Sequence, residues 1–446
     1  MKNSLTRLTL GSALLPRFQR RGLSQPNGLT QIALTIILLL LFSYAFAQQE
    51  QGQSQDAKFY NDRGMAYRDK GRYDLAISDF NKAIEIDPEY AYAYVNRGMA
   101  YRDKGQYDLA ISDYNTAIKI DPTYVFAYHN RGIVYKDKGQ YDQAISDFNK
   151  ALELNPRYAF AYNNRGIIYL EKGRYDRAIQ DFSKAIEISP RFSYPYNNRG
   201  RAHLEKGLYD LAISDLNKAL EINPRYFEAY HNRGMAYGRK GQYDQAISDF
   251  SKVLEMKPRF AEAYHNRGNA YLEKGQYDQA ISDFNKALEI NPKFAVAYYN
   301  RGIACLEKGE PDQAIFDFNK VMELNPRFAE AYNNRGMAYR RKGQPDQAIS
   351  DYSKAIEISP GFAEAFNNRG NAYLEKGQYD QAISDYSKAL EINPKYAEAL
   401  GNRAKAYSLK REYDRAWQDI QKAQDLGYKI PSKFLDDLRK ASGKPN

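Results

Sequence analysis

Between residues 57 and 430 the apolar and polar positions run through one fixed cycle. Ten prolines punctuate it, at 88, 122, 156, 190, 224, 258, 292, 326, 360 and 394, and every interval is 34 residues. A period of this size decides the fold, because one repeat cannot bury its apolar face alone and must stack on its neighbours. Numbering positions 1–34 from Ala57 gives eleven repeats: 57–90, 91–124, 125–158, 159–192, 193–226, 227–260, 261–294, 295–328, 329–362, 363–396 and 397–430. The last is degenerate.

Residues 261–294 read AEAYHNRGNAYLEKGQYDQAISDFNKALEINPKF. Helical periodicity predicts one helix over positions 1–14 and a second over 18–31. Gly275 stops the first, with Lys274 facing the negative end of its dipole, and Asp278 suits the positive end of the second. Pro311 and Pro345, each just before the equivalent Asp, fit a helix start because their missing N–H would be unpaired there. Pro292 ends the second helix. A helical wheel places Tyr264, Arg267, Gly268 and Tyr271 on one face, toward Ala280, Ile281, Phe284 and Ala287. The small Gly268 and Ala280 let two backbones approach. Arginine at position 7 and aspartate at position 23 occur in all eleven repeats. They predict an ion pair joining the two helices, Arg267 with Asp283 for example.

Tyr264, Gly268, Tyr271, Ala280, Phe284, Ala287 and Pro292 resemble the tetratricopeptide repeat family. The resemblance covers 57–430, with ten consecutive matching repeats. It implies an all-α, right-handed superhelical solenoid of paired antiparallel helices. The first helices would line its concave surface, where a protein or extended peptide binds. The chain departs from the family at position 7, arginine in place of the usual leucine, and at position 11, where His203 and Cys305 replace core tyrosine. Residues 48–56 read as a polar leader. In 431–446, Ser432–Ala441 reads as a helix capping the last exposed face.

On the concave side the wheel groups positions 2, 6, 9 and 13, flanked by 5 and 12. Position 6 is Asp62, then Asn96, Asn130, Asn164, Asn198, Asn232, Asn266, Asn300, Asn334, Asn368 and Asn402. An amide both donates and accepts, so one per repeat can hold a peptide backbone of any sequence. This ladder is similar to that of the repeat domain of the O-linked N-acetylglucosamine transferase, which implies peptide binding but not transfer, since no catalytic domain accompanies it. A second use is open: the asparagines can hydrogen-bond the adjoining repeat. Position 2 is Tyr92, Phe126, Phe160 and Tyr194 in repeats 2–5, then Glu228, Glu262, Val296, Glu330, Glu364 and Glu398. Met99, Ile133 and Ile167 at position 9 add apolar surface. The expected ligand therefore brings apolar side chains to repeats 2–5 and basic ones beyond, unless the rings pack against neighbouring repeats.

Charge and composition narrow the function. The net charge of +10 draws +5 from Lys2, Arg7, Arg17, Arg20 and Arg21 in a segment with no acidic residue. The apolar run Ile32–Phe42 and Ala45-Phe46-Ala47 follow. This pattern predicts a signal peptide over 1–47, cleaved after Ala47, and an exported, periplasmic or secreted protein. Left uncleaved, the segment would be a membrane anchor. Elsewhere Lys and Arg alternate with Asp and Glu, so no nucleic-acid stripe is expected. One Cys gives no intramolecular disulfide. His129, His231 and His265 share position 5 on the groove flank and fall short of a four-ligand metal site. No nucleotide loop or nucleophile–base pair appears, so no cofactor and no enzyme activity are expected. For the family's carboxylate clamp, position 5 is never lysine, position 2 is lysine only at Lys58 and position 6 is never arginine, so that clamp is not expected. The sequence points to a binding scaffold; the alternatives are a membrane-anchored assembly factor and an accessory subunit of an envelope glycosyltransferase or polysaccharide machine.

Overall fold

The computed structural model describes residues 36–37 and 56–443, so the expected signal peptide and most of the leader lie outside the described residues. Residues 57–442 form 23 helices, and no strand occurs among the described residues. The helices come in pairs, two to each repeat, with one more at the C-terminal end. They belong to two compact bodies, one ending at Leu154 and the other beginning at Asn155. The first holds the helices of repeats 1–3; the second holds repeats 4–11 and the last helix.

Repeat 7 represents the rest. Its first helix is Ala261–Glu273 and its second Tyr277–Ile290. The second helix thus begins and ends one residue earlier than the expected positions 18–31. Gly275, at φ +71°, takes a left-handed turn that only glycine makes without strain. Its N–H bonds Leu272 O and that of Gln276 bonds Tyr271 O, closing the first helix tightly enough for Tyr277 to open the second. In repeats 8 and 9 that opening residue is Pro311 or Pro345. At the far end Asn291 is extended, φ −129°, because a following proline excludes it from the helical region.

The expected core face forms. Phe284 is fully buried, and a Cβ on Gly268 would lie 2.8 Å from its ring. A second buried face was not expected. Ala263 and Ala270, at positions 3 and 10, pack against Val253 and Leu254, and against Ala246 and Phe250, of the preceding second helix. Within each body, a first helix that follows another repeat is therefore wedged between two second helices. In repeat 1 the same positions, Phe59 and Ala66, are exposed.

Polar links follow the same geometry. Arg267 donates from Nε to Asp283 Oδ2 at 2.7 Å and from Nη2 to Oδ1 at 2.8 Å. The predicted pair recurs in every repeat, from Arg63–Asp79 to Arg403–Asp419. Arg267 also donates from Nη1 to Ser251 Oγ, 2.9 Å away in repeat 6, so one guanidinium ties three helices. Lys274 caps its helix and reaches Asp244 of repeat 6 at 2.5 Å.

The last helix runs Ser432–Ser442. Its Leu438 is 1% exposed and packs with Ala404, Ala416 and Ile420. Trp417 Nε1 donates to Ser442 Oγ at 3.3 Å. Cys305 is fully buried in the core, where burial pushes its thiol up to about 12.

Candidate functional site

Positions 2, 6 and 9 lie along one side of each first helix, as the wheel requires. The ladder amides there are already engaged. In body one, Asn96 Nδ2 donates to Asn61 Oδ1 at 2.8 Å, and Asn130 Nδ2 to the carbonyl of Phe126 at 2.8 Å. In body two, Asn198 bonds Asn163 at 3.0 Å, Asn232 bonds Asn197 at 2.9 Å, Asn368 bonds Asn333 at 3.0 Å and Asn402 bonds Asn367 at 3.0 Å. Asn334 donates to the Tyr299 hydroxyl at 3.0 Å. Except at Asn130, whose acceptor lies in its own repeat, the partner is position 5 of the preceding repeat, so the ladder's amide nitrogen joins repeats. Asn164, half-buried, holds the equivalent place in repeat 4. The carbonyl oxygens of Asn232, Asn300, Asn368 and Asn402 accept nothing from the described residues. Asn232, Asn368 and Asn402 also keep a second N–H, whereas Asn300 Nδ2 is used twice, on His265 Nε2 and on Asn269 Oδ1. At Asn232, Asn368 and Asn402 the ladder thus presents an acceptor, and one further donor, to a ligand.

Position 5 corrects the sequence reading. His129 is 7% exposed and not a groove residue; burial, aided by the charges of Arg102 and Lys136, pushes its imidazole down to about 4. His231 and His265 are partly buried, and burial lowers both. His231 Nε2 lies 3.1 Å from Asn266 Nδ2, and His265 Nε2 lies 3.1 Å from Asn300 Nδ2. An amide nitrogen only donates, so both Nε2 atoms are acceptors and both rings are neutral. The two histidines stand in for the asparagine found at this position in other repeats. Among the described residues no group of three or more His, Cys, Asp and Glu side chains could hold a metal ion. The run of hydrogen-bonding residues at position 5, one place before the ladder, was the signal that sequence reasoning passed over.

The aromatic residues at position 2 remain accessible. In body one Tyr92 is 55% exposed and Phe126 50%; in body two Phe160 and Tyr194 are each 52%. They do touch neighbours, but sideways. Tyr124 lies 4.8 Å from Tyr92 and 5.8 Å from Phe126, centroid to centroid. Phe192 lies 4.8 Å from Phe160 and 5.7 Å from Tyr194. Position 34, aromatic in ten repeats, braces the exposed rings and leaves a face of each open. From repeat 6 on, Glu228, Glu262, Glu330, Glu364 and Glu398 are exposed, as is Val296. Met99 and Ile133 in body one, and Ile167 in body two, are only partly exposed.

Comparisons with known proteins agree with this architecture. A family model described as tetratricopeptide repeat matches 261–294, 295–328, 329–362 and 363–396. A TPR repeat model matches 64–102, 98–139, 200–241 and 236–275, and two further tetratricopeptide models match 123–191 and 386–418. No curated protein matches the chain. Among solved structures, MamA is 35% identical over 37% of this chain and 96% of its own, with a TM-score of 0.35. YrrB, described as a TPR protein with an unusual peptide-binding site, is 30% identical over 42% of this chain and 95% of its own, TM-score 0.37. A tetratricopeptide repeat protein from Parabacteroides merdae is 24% identical over 56% of this chain and 99% of its own, TM-score 0.44. With family matches spanning 64–191 and 200–418, and paired helices in every one of those repeats, the chain belongs to the tetratricopeptide repeat family.

Proposed function

We propose that this protein is a non-catalytic scaffold, exported to the cell envelope or beyond, that binds extended protein segments along its first helices. The observation that carries the reading is the braced, half-exposed ring at position 2 of repeats 2–5, two such rings in each body. Four large aromatic side chains repeat where a soluble surface would ordinarily carry polar groups. Their burial against a partner contributes about 25 cal/mol per Å² of apolar surface. The acidic residues that follow at the same position suit basic side chains. The ladder carbonyls supply sequence-independent acceptors. Export rests on the basic and apolar segment 1–47. The same apolar run supports a second reading, a membrane-anchored assembly factor. Among the described residues no helix is long and apolar enough to cross a membrane.

Selection of displayed random peptides on the purified protein tests the scaffold reading. Peptides rich in apolar side chains should be enriched, and the double variant Phe160→Ala/Tyr194→Ala should lose them while its helical circular dichroism is unchanged. Equal enrichment on wild type and variant would remove the rings from the binding surface. N-terminal sequencing of the mature protein separates cleavage after Ala47 from retention of the anchor.

A further inference from the structure

The spacing and charge of the ring row in body two narrow the ligand further, on the premise that the peptide-binding reading holds. Phe192 sits 4.8 Å from Phe160 and 5.7 Å from Tyr194, so the two exposed rings are at most about 10.5 Å apart. Residues on one side of a β-strand recur every ~6.7 Å. A strand would also seek a free backbone edge, and this surface is made of helices whose backbone is internally bonded. An α-helix repeats a face at ~10.5 Å, over seven residues. That matches only if all three centroids are collinear. It would also lay a broad apolar stripe onto polar Asn198, one turn from Tyr194. A polyproline II segment repeats every three residues, about 9.3 Å, which the upper limit allows as it does the strand's repeat; it differs from the strand in needing no free backbone edge. It has few N–H groups to satisfy, is already extended before binding, and offers flat prolyl faces to aromatic rings. Two more features fix its composition. Ser189, Pro190 and Arg191 complete a cleft with Phe160 and Phe192, so a positive charge stands beside the rings. Further along the same row, Glu228 and Glu262 are exposed.

We infer that body two binds a proline-rich segment in polyproline II conformation, with prolines at a three-residue period on Phe160 and Tyr194. Arginine or lysine continues the same period onto Glu228 and Glu262. The ring end, next to Arg191, takes the uncharged part of the ligand. The acidic end takes the basic part, and this charge asymmetry sets the ligand's direction.

Fluorescence anisotropy with labelled PPPPPPRPPRPP and its reverse order, PPRPPRPPPPPP, on the full mature chain tests this. One of the two orders should bind at least tenfold more tightly than GSGSGSRGSRGS, which carries the same charges without the conformation. Phe160→Ala/Tyr194→Ala should weaken it tenfold or more. Glu228→Gln/Glu262→Gln should weaken it several-fold and flatten its salt dependence. Equal binding of the glycine–serine peptide, or indifference to the ring variants, overturns the proposal. So does ring-dependent binding of chitohexaose with none of either proline peptide, which would assign the rings to a glycan. If both proline peptides fail while displayed peptides of other kinds still require Phe160 and Tyr194, this proposal falls and the peptide-scaffold reading stands. If no peptide requires the rings, both fall.

Discussion

Single residues show which chemical demands the 34-residue cycle imposes, because each can be set against the same position in ten other repeats. Position 15 ends the first helix in a left-handed turn and is glycine in ten repeats; in repeat 11 it is Arg411, at φ 63°. A side chain in that region costs roughly 1–2 kcal/mol. Arg411→Gly should therefore raise the stability of repeat 11 by about 1 kcal/mol, read as increased hydrogen-exchange protection in Tyr413–Asp425; unchanged or lower protection would contradict this. His129 makes the opposite kind of exception, a titratable ring where five repeats carry asparagine. Its folded-state value, about 4 against an ordinary 6.5, lies below that of the unfolded chain. Unfolding therefore takes up a proton between these values. The fold is at full strength above pH 6.5 and loses stability as pH falls toward 4, by about 3 kcal/mol at full extent. His129→Asn should remove that part of the acid sensitivity, leaving the share from His231 and His265. Denaturation curves for both proteins at pH 7.5 and 4.5 give the comparison, and an unchanged difference would show that the ring does not titrate as described.

At the scale of the helix, the arginine of position 7 is the joint. Arg267 holds Asp283 of its own repeat and Ser251 of the preceding one, with Asp283 5% exposed. Removing one partner of a buried pair leaves a charge without compensation, at a cost of about 3–5 kcal/mol. Arg267→Met should lower the denaturation midpoint by that much, whereas Arg267→Met/Asp283→Leu should recover most of it. Lys274→Ala should change stability by less than about 1 kcal/mol, since its partner Asp244 is 81% exposed and such pairs contribute little. A Lys274 variant as damaging as the Arg267 variant would reverse the assignment. The Arg–Asp joint was legible in the sequence because both partners recur without exception at positions that the wheel brings together. The wedge made by Ala263 and Ala270 was not. Alanine carries little hydrophobic signal, and a wheel drawn for one repeat contains no second neighbour. The same limit explains the ladder. Asparagine at position 6 stood out, but its partner at position 5 changes between asparagine, histidine and tyrosine. Only the structure brings the two together across repeats, and it turns an expected ligand contact into a shared duty of stacking and presentation. The rings of position 2 kept their expected exposure because their braces, at position 34, approach from the side.

For the molecule as a stack, contacts run only between neighbours, and the ends therefore need separate solutions. At the C-terminal end, Ser432–Ser442 covers Ile420 with Leu438. The turn before it helps: a Cβ on Gly401 would lie 2.9 Å from the Tyr428 ring, so the glycine at position 5 of repeat 11 makes room for the chain that leads into the cap. Deleting 431–446 exposes Trp417 and Ile420 and removes the helix that packs against them. Nearest-neighbour stacking then makes a specific forecast. Hydrogen-exchange protection should fall by several-fold or more in repeat 11 and less in repeat 10, with repeats 5–7 unaffected, because nothing in their own interfaces has changed. A uniform fall through repeats 5–11 would mean that body two unfolds as one unit. In that case the ligand row at Phe160 and Tyr194 would depend on the distant cap. The graded result would let the binding end keep its rigidity while the other end frays, which is what a preformed surface for an extended ligand requires.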